Sequence, residues 1–400
     1  MAAIQGIRGS GSWTTPDEAP KSYHEGLFKL VPDMAPFYGL LSKVRQDTCD
    51  NPEFKIFEER LPQMYAQVNG AHNDAVTAIA IDLPGAAPGK AFKANDLLRN
   101  VRTGETVRLT ATPADPWTSL TVATRGSWGG GAAAMVDNDQ LRWVGSAEPE
   151  ATTAPGAVSQ DLTVVSNYVE DFQDSCEASD MALAMYVRPE DAWKREKRLC
   201  GIRHSTKIES ALFFGRKVSV TGANGQPQRG TGGLVEFLSS NLIDHSSSGT
   251  SIDLLEDAFK QLFKYGNKTK IGFAGNTAIT VLNRVVRNNT SSFFDMSAPL
   301  NKLETYKLNV REFYHPYGTL QLINHPLLSE DSTWASQIWV VDLAYLAWVK
   351  MKTIGATNFK DDIKKEDGYT GRKGRFRTVA GLRMALEEVH GRITVGAYLP

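Results

Sequence analysis

A long stretch without helical periodicity, followed directly by one long amphipathic helix, is the feature that most constrains how this chain can fold. From about residue 60 to residue 175, runs rich in Thr, Val and Leu alternate with Gly and Pro, which is typical of short strands joined by turns. Residues 189–213 then place apolar side chains on one helical face, with Pro189 suited to the first turn and Gly215 suited to the end. The chain therefore combines β and α regions in separate segments.

Composition limits the classes of protein to consider. The 400 residues predict two or three structural regions, because a single core stops growing at roughly 250–300 residues. Lys and Arg number 44 against 45 Asp and Glu, which argues against a dedicated nucleic-acid-binding protein. The densest basic segment, residues 364–377, is interpreted as a solvated loop, with weak non-specific DNA contact as the less favoured alternative.

The N-terminal residues and the lengths of the apolar runs indicate where the protein is found in the cell. Residues 1–6 lack the basic and apolar regions of a signal peptide, and no apolar run approaches the roughly 20 residues of a membrane span. The expectation is a soluble protein made in a reducing cytoplasm, with no membrane partner.

The first segment, residues 1–52, has the character of an arm. It contains two short amphipathic pieces, at residues 23–31 and 37–44, which are too short to bury their apolar faces alone and must dock on this chain or on a neighbouring one. The apolar positions chosen as candidates for a subunit interface are Tyr23, Leu27, Phe28, Phe37, Leu40 and Leu41.

The remaining segments predict an α+β protein. Residues 53–160 are β-rich, residues 161–218 contain the long helix, and residues 219–344 alternate helices with apolar strands. In residues 345–400, apolar residues alternate at 382–386 and again at 393–399, which predicts two strands paired with each other.

Motifs of catalysis, cofactor binding and metal binding are missing from the sequence. Cys49, Cys176 and Cys200 have neither zinc-site nor disulfide-framework spacing, and no two histidines lie within four residues. Cys200 and His204 share a helix face as a nucleophile and base could, but this spacing is more often fortuitous. Residues 226–233 form a Gly-rich loop that lacks the ending of a phosphate-binding loop. We expect no catalytic residue, no cofactor and no metal.

Three tryptophans fall in the β-rich segment. Trp117, Trp128 and Trp143 could form a carbohydrate-stacking platform, fill the thin core of a small β module, or lie at subunit contacts. The core interpretation is favoured over the carbohydrate one. We also include Trp117 and Trp128 among the candidate interface residues.

The order of segments resembles the capsid fold named after the Hong Kong 97 phage, with an N-terminal arm, an extended loop, a peripheral domain with a spine helix, and an axial domain. Short stretches at 206–215, 228–234, 273–276 and 341–343 are similar to one branch of phage major capsid proteins. The resemblance implies arm 1–52, extended loop 53–160 with a β-rich insertion at about 90–145, peripheral domain 161–218 and 345–400, and axial domain 219–344.

The same resemblance implies the function and the partners. The chain is expected to self-assemble into pentamers and hexamers of an icosahedral shell around the double-stranded DNA of a tailed phage, within the virion capsid, after synthesis in the host bacterial cytoplasm. Implied partners are a scaffolding protein, a portal protein, a cement or decoration protein, and packaged DNA bound without sequence specificity. Two alternatives remain open: an encapsulin-like nanocompartment shell, and a β-rich carbohydrate-binding or hydrolytic protein.

Overall fold

The chain divides into two compact units. The computed structural model describes residues 35–60, 64–83, 89–154, 157, 162–185, 190–288, 310–361 and 370–399. One unit, here called the insertion unit, is Phe57–Val164, and the other, the main unit, comprises Met1–Ile56 and Val165–Pro400. Helices and strands both contribute to the fold, so the predicted α+β class is confirmed.

The helices and strands have the following bounds. The helices are α1 Pro36–Val44, α2 Asp180–Ala184, α3 Ala192–Phe214, α4 Leu234–Phe237, α5 Ile252–Leu262, α6 Asn276–Asn288, α7 Pro326–Ser329 and α8 Ser332–Ala335. The strands up to α3 are β1 Gln46–Cys49, β2 Glu53–Glu58, β3 Tyr65–Val68, β4 Ala78–Leu83, β5 Asp96–Asn100, β6 Thr106–Arg108, β7 Ser119–Thr121, β8 Gln140–Ser146, β9 Thr163–Tyr168 and β10 Glu170–Ser179. The strands after α3 are β11 Val218–Thr221, β12 Pro227–Gly230, β13 Leu242–Asp244, β14 Thr269–Ala274, β15 Val310–His315, β16 Gly318–Asn324, β17 Gln337–Val341, β18 Leu346–Met351, β19 Asn358–Lys360, β20 Gly371–Met384 and β21 Gly391–Thr394.

The long helix α3 packs on the first sheet of the main unit. That sheet has the order β1-β18-β20-β10, and β19 also pairs with β20. The helix begins where the Asp191 carboxylate accepts the N–H groups of Trp193 and Lys194, at 2.9 and 3.1 Å, which satisfies two groups of the first turn. It ends at Gly215, as predicted. Pro189 lies outside the described residues.

The second sheet of the main unit carries α5 and α6. Its order is β13-β21-β17-β14-β16-β15. Apolar residues of both helices pack on the sheet around Phe259, Leu262, Val285 and Leu320. The helix–strand alternation predicted for residues 219–344 therefore builds one layered core.

Two expectations for the chain after α3 are wrong, one about strand pairing and one about a loop. β20 pairs with β10 and β18, whereas β21 pairs with β13 and β17 in the other sheet, so the two final strands do not pair with each other. Leu386, with φ of +51°, and the short 3-10 helix Glu387–Val389 redirect the chain between them. In addition, residues 227–230 of the predicted Gly-rich loop form β12, paired with β11 in a hairpin.

The insertion unit is a small barrel. Its six strands follow the order β6-β5-β8-β3-β4-β7, and the two outer strands meet through a bridge between Leu109 and Val122. Hydrogen bonds from Thr110 N to Thr121 O, at 2.9 Å, and from Ala123 N to Arg108 O, at 2.7 Å, extend this closure. Closure removes exposed sheet edges, which explains how a module of short strands is stable.

Among the described residues, the barrel core is formed by aliphatic side chains, Met135 and one aromatic residue. Its fully buried members include Val68, Ile79, Leu98, Leu120 and Phe92. The described residues of the insertion unit contain no helix, in agreement with the sequence pattern.

Candidate functional site

The amphipathic piece at 37–44 docks on its own chain. Phe37 and Leu41 are 0% exposed and Leu40 is 1% exposed, all within the core that also contains α3 and both sheets. Phe37 packs against Phe213 and Phe273, with ring centroids at 5.2 and 4.9 Å. These side chains have no surface left for a neighbouring chain, so their assignment to a subunit interface is corrected.

A buried carboxylate holds α1 in this position. Glu209, on the face of α3 that points into the core, is 0% exposed. Its Oε1 accepts the N–H of Phe37 at 2.9 Å, and its Oε2 accepts the N–H of Tyr38 at 2.6 Å. A negative charge at a helix N-terminus is favourable because the first N–H groups have no partner within the helix. His325 lies 2.5 Å from the same carboxylate through Nε2, which completes a buried polar network.

The other candidate residues of the arm, Tyr23, Leu27 and Phe28, lie outside the described residues. Their interface role stays a prediction.

The two candidate tryptophans of the insertion unit are accessible to different degrees. Trp128 is 42% exposed, whereas Trp117 is half-buried. The Arg108 guanidinium lies 5.5 Å from the ring centroid of Trp128, and the Lys90 ammonium lies 5.4 Å from that of Trp117. Each ring therefore has one face occupied by a cation.

The tryptophans do not form a common platform in the part of the chain described. Trp143 is 37% exposed. None of Trp117, Trp128 and Trp143 is in ring contact with another, although all three are described residues. None of the three belongs to the buried core of the barrel, so the favoured core interpretation is not supported either. Exposed aromatic rings beside cations are typical of protein contact surfaces.

The described part of the basic segment is largely neutralised by its own chain. The interpretation of 364–377 as a loop is wrong from residue 371 onward, because this part is β20, and residues 362–369 lie outside the described residues. Arg377 donates to Asp171 at 2.9 and 2.7 Å, and Lys373 pairs with Glu177, both across the β10–β20 ladder. Opposite charges that pair across a ladder stabilise it and reduce the field available to DNA.

A small cleft beside this ladder retains some positive character. Its volume is about 300 Å³, and Lys360 of β19 and Arg375 of β20 line it. Arg375 donates to Gln173 Oε1 at 3.1 Å. Because this acceptor is a neutral amide, the bond does not offset the positive charge of Arg375.

The backbone N–H groups of the Gly-rich turn after β12 bind other residues of the same chain. The N–H of Thr231 donates to Glu170 Oε2 at 3.0 Å, and the N–H of Gly232 donates to Asn167 Oδ1 at 2.8 Å. Asn167 also donates to the carbonyl of Leu382 at 2.7 Å, so it joins the turn to β20. Because these N–H groups already have acceptors, they do not form a phosphate cradle.

The Cys200–His204 pair is not arranged for nucleophilic catalysis. His204 is 3% exposed, and its two ring nitrogens lie 3.0 Å from Asp174 Oδ2 and 2.9 Å from Thr378 Oγ1. Burial raises the pKa of the Cys200 thiol, which keeps it protonated. Cys200 lies in one buried cluster with Cys176 and Trp193, a proximity that sequence spacing did not reveal.

A second buried polar cluster lies at the end of the second sheet. The Lys270 ammonium, 1% exposed, donates to the carbonyls of Leu262 and Val389, at 2.5 and 2.6 Å. Burial lowers its pKa to about 8, an effect that the nearby Asp342 carboxylate opposes. Nδ1 of His390 accepts the N–H of Asp342 at 3.2 Å. Sequence reasoning missed this cluster because its members are far apart along the chain.

His390 makes the fold sensitive to acid. Its pKa is lowered to about 4, first by burial and then by the positive charge of Lys270. Between pH 6.5 and about 4 the unfolded chain binds a proton that the folded chain does not, so stability is lost as the pH falls through this window. The loss should reach about 3 kcal/mol. Urea unfolding at pH 7 and pH 4.5 should show it in the wild type and much less of it in His390→Asn, which keeps an acceptor near Nδ1; equal losses would contradict the assignment.

No group of three or more His, Cys, Asp or Glu in the described ranges could hold a metal ion. Within those ranges, no helix is both long and apolar enough to span a bilayer.

The comparison of the sequence with protein families decides the identity. A family model described as SU10 major capsid protein matches residues 7–396, which include nearly all of both units. The chain belongs to the SU10 major capsid protein family. The resemblance to phage major capsid proteins drawn from short sequence stretches is thereby confirmed, and the protein is a shell-forming component of the virion capsid.

Individual relatives of this capsid protein are distant. No curated protein matches its sequence. A capsid chain of the cyanophage P-SCSP1u is 10% identical, with 98% of this chain and 99% of that chain covered and a TM-score of 0.48. The SrpI encapsulin complex of Synechococcus elongatus PCC 7942 is 8% identical, with 99% of both chains covered and a TM-score of 0.45. A chain of Mycobacterium phage Patience is 14% identical, with 64% and 78% covered and a TM-score of 0.43.

Proposed function

We propose that identical copies of this major capsid protein assemble as pentamers and hexamers into an icosahedral shell that encloses the double-stranded DNA of a tailed phage. The observation that carries the proposal is the family match over residues 7–396, because it includes the main unit and the insertion unit together. Head-to-tail contacts between identical chains close into rings, which is the geometry that pentamers and hexamers require.

Each part of the chain is proposed to have the role of its counterpart in the Hong Kong 97 phage-like fold. Helix α3 is the spine of the peripheral domain, which residues 161–218 and 345–384 build. Residues 219–344 form the axial domain, to which we add β21 because it lies in the same sheet as β13 and β17. Residues 53–160 form the extended loop, and the arm is limited to residues before α1.

The insertion unit is proposed to contact neighbouring subunits. Trp128 and Trp117 support this, because each is at least partly accessible and has a cation over its ring. The closed barrel leaves these contacts to side chains and not to sheet edges. A Trp128→Ser chain should fold normally and assemble more slowly than the wild type in light scattering; measurable glycan binding that the same change abolishes would instead favour the carbohydrate-binding alternative.

The wall of the shell is proposed to bind packaged DNA only weakly and without sequence specificity. The net charge of the chain is -1, and Lys373 and Arg377 of β20 pair with carboxylates of β10. A wall of this kind lets the DNA be packed without adhering to it.

The proposed partners during particle formation are a scaffolding protein, a portal protein and a cement or decoration protein. We also propose that the chain catalyses no reaction. Cys200, the candidate nucleophile, is 0% exposed. Both ring nitrogens of the neighbouring His204 are already hydrogen-bonded, to Asp174 and Thr378.

Assembly of the purified chain tests the proposal. The chain is expressed with and without a scaffolding protein and examined by size-exclusion chromatography and negative-stain electron microscopy. Rings of five or six copies or closed angular shells are expected, whereas a 43.9 kDa monomer under every condition would overturn the proposal. Particles from infected cells separate the alternatives, because a phage shell contains DNA and a nanocompartment contains a protein cargo.

The arm should be needed for assembly but not for folding. Deleting residues 1–34 leaves α1 and its contact with Glu209 in place, so we expect an unchanged unfolding transition and loss of closed shells. A deletion that continues through residue 45 removes Phe37 and Leu41 from the core and should unfold the main unit. Normal shells from the chain lacking residues 1–34 would contradict the role of the arm.

A further inference from the structure

Two cysteines that are distant in sequence lie together between the spine helix and the first sheet. Cys176 is in β10 and Cys200 is in α3, and they are 2% and 0% exposed in one cluster with Trp193. Cys176 Sγ donates to the carbonyl of Gly374 at 3.8 Å. All three cysteines of the chain, including the partly exposed Cys49, are free thiols in this structure.

The register of the helix on the strand is what brings these sulfur atoms together. One turn after Cys200, His204 Nδ1 lies 3.0 Å from Asp174 Oδ2, and Asp174 is two residues before Cys176. Four helical residues advance the chain by about 6 Å. Two strand residues advance it by about 6.8 Å. The two spacings match, so the hydrogen bond between His204 and Asp174 places Cys200 opposite Cys176.

We propose that Cys176 and Cys200 form a disulfide that joins the spine helix to the sheet when the protein meets a small-molecule disulfide oxidant. The thiolate of one cysteine attacks a sulfur atom of the oxidant, a mixed disulfide forms, and one small thiol leaves. The second cysteine then attacks the mixed disulfide and releases the other small thiol. Two protein S–H bonds and one oxidant S–S bond are replaced by one protein S–S bond and two small-molecule S–H bonds.

The reaction should be slow and conditional. Burial raises the pKa of both thiols, and the thiolate is the reactive form, so attack must follow a local opening of α3 from β10. In the reducing cytoplasm the pair stays reduced, whereas outside the cell disulfides persist. This timing rests on the proposed function, since it assumes a particle released from its host, while the chemistry concerns the chain alone.

The bond would stabilise the spine after assembly. It closes the chain between residues 176 and 200, which restricts the unfolded state. A shell could then assemble from reduced subunits and become more resistant to unfolding after release.

Oxidation of the purified full chain tests the proposal. The protein is incubated in native buffer with oxidised glutathione, then unfolded, alkylated and digested, and the cross-linked peptides are identified by mass spectrometry. A Cys176–Cys200 cross-link that reductant removes is expected, with a rise in the unfolding midpoint on the order of 5 °C. Cys49→Ser should behave the same, while Cys176→Ala and Cys200→Ala should show neither the cross-link nor the rise.

Two outcomes would overturn the proposal. Cys176 and Cys200 could remain fully alkylatable in protein whose Cys49 has become glutathionylated, which would show that oxidant was present and the pair did not react. Alternatively, a cross-link could form without any rise in the unfolding midpoint. Shell assembly of the two alanine variants is measured separately, so that failure of the disulfide and failure of the capsid function are distinguishable.

Discussion

Replacing Glu209 with alanine should lower the free energy of unfolding of the main unit by about 3–5 kcal/mol, because it breaks a buried charged network and leaves its partners without an acceptor. The N–H groups of Phe37 and Tyr38 and Nε2 of His325 all lose the carboxylate. Bulk solvent does not reach the site, because Glu209 is 0% exposed. The first turn of α1 should therefore loosen, and its apolar residues should leave the core more often.

The measurement is urea unfolding combined with amide hydrogen exchange. Glu196→Ala is the matched control, since Glu196 lies on the same helix and makes no hydrogen bond or ion pair with the described residues. We expect faster exchange at residues 37–41 in Glu209→Ala only. The exchange rates of the insertion unit should not change, and a loss of stability no greater than that of the control would refute the role of Glu209.

Replacing Arg125 with methionine should destabilise the insertion unit by a similar amount, about 3–5 kcal/mol. The side chains of Arg125 and Glu105 are 2% and 0% exposed and pair through two bonds, at 2.7 and 2.6 Å. Arg125 also donates to the carbonyls of Asn73, at 3.1 Å, and Ala133, at 2.5 Å, so it connects three segments of the barrel. Methionine fills similar space but leaves Glu105 as a buried charge.

The pH dependence of this variant provides a second readout. In the wild type, burial would raise the pKa of Glu105, but the hydrogen bonds from Arg125, Ala133 and Gly126 lower it below its usual value. Without Arg125 burial should prevail and raise the pKa. The variant should then recover stability as the pH falls, since the folded state would bind the proton more tightly than the unfolded state.

Two further variants separate the charge from the side-chain volume. Arg99→Met, at an exposed position of β5, should change stability by no more than about 0.5 kcal/mol. Arg125→Met combined with Glu105→Gln should recover much of the loss, because the buried charge is then removed. Hydrogen exchange at β5 and β6 reports on the barrel directly, and a double variant as unstable as the single one would contradict the charge argument.

Much of the secondary structure could be predicted from local pattern. The apolar spacing of Trp193, Cys200, Ile208 and Leu212 identified the buried face of α3, and all four are buried. Local pattern did not reveal His204 and Glu209 on the same face, because polar residues are usually expected to face solvent. They are buried because Asp174, Thr378 and His325, brought close by the fold, satisfy their hydrogen bonds.

Which strands and helices pack against each other was harder to predict than the helices and strands themselves. Alternation of apolar residues predicts which face of a strand is buried, but it carries no information about which strand lies beside it. This is why two similar strands, β20 and β21, were expected to pair and instead belong to different sheets. The interface assignment of Phe37, Leu40 and Leu41 failed for a related reason, since an apolar helix face docks equally well on its own chain.

The sequence by itself determined the α+β class, the β-rich region before a single long helix, and the resemblance to phage major capsid proteins. These depend on residue order and periodicity, which are local properties. Only the tertiary structure decided that α1 is capped by Glu209, that Lys373 and Arg377 of β20 pair with carboxylates of β10, and that Cys176 and Cys200 share one buried cluster. The physical reason is that each of these contacts joins residues far apart in the chain, brought together by the packing of α3 on the main unit or by the pairing of β10 with β20, and no local pattern encodes that proximity.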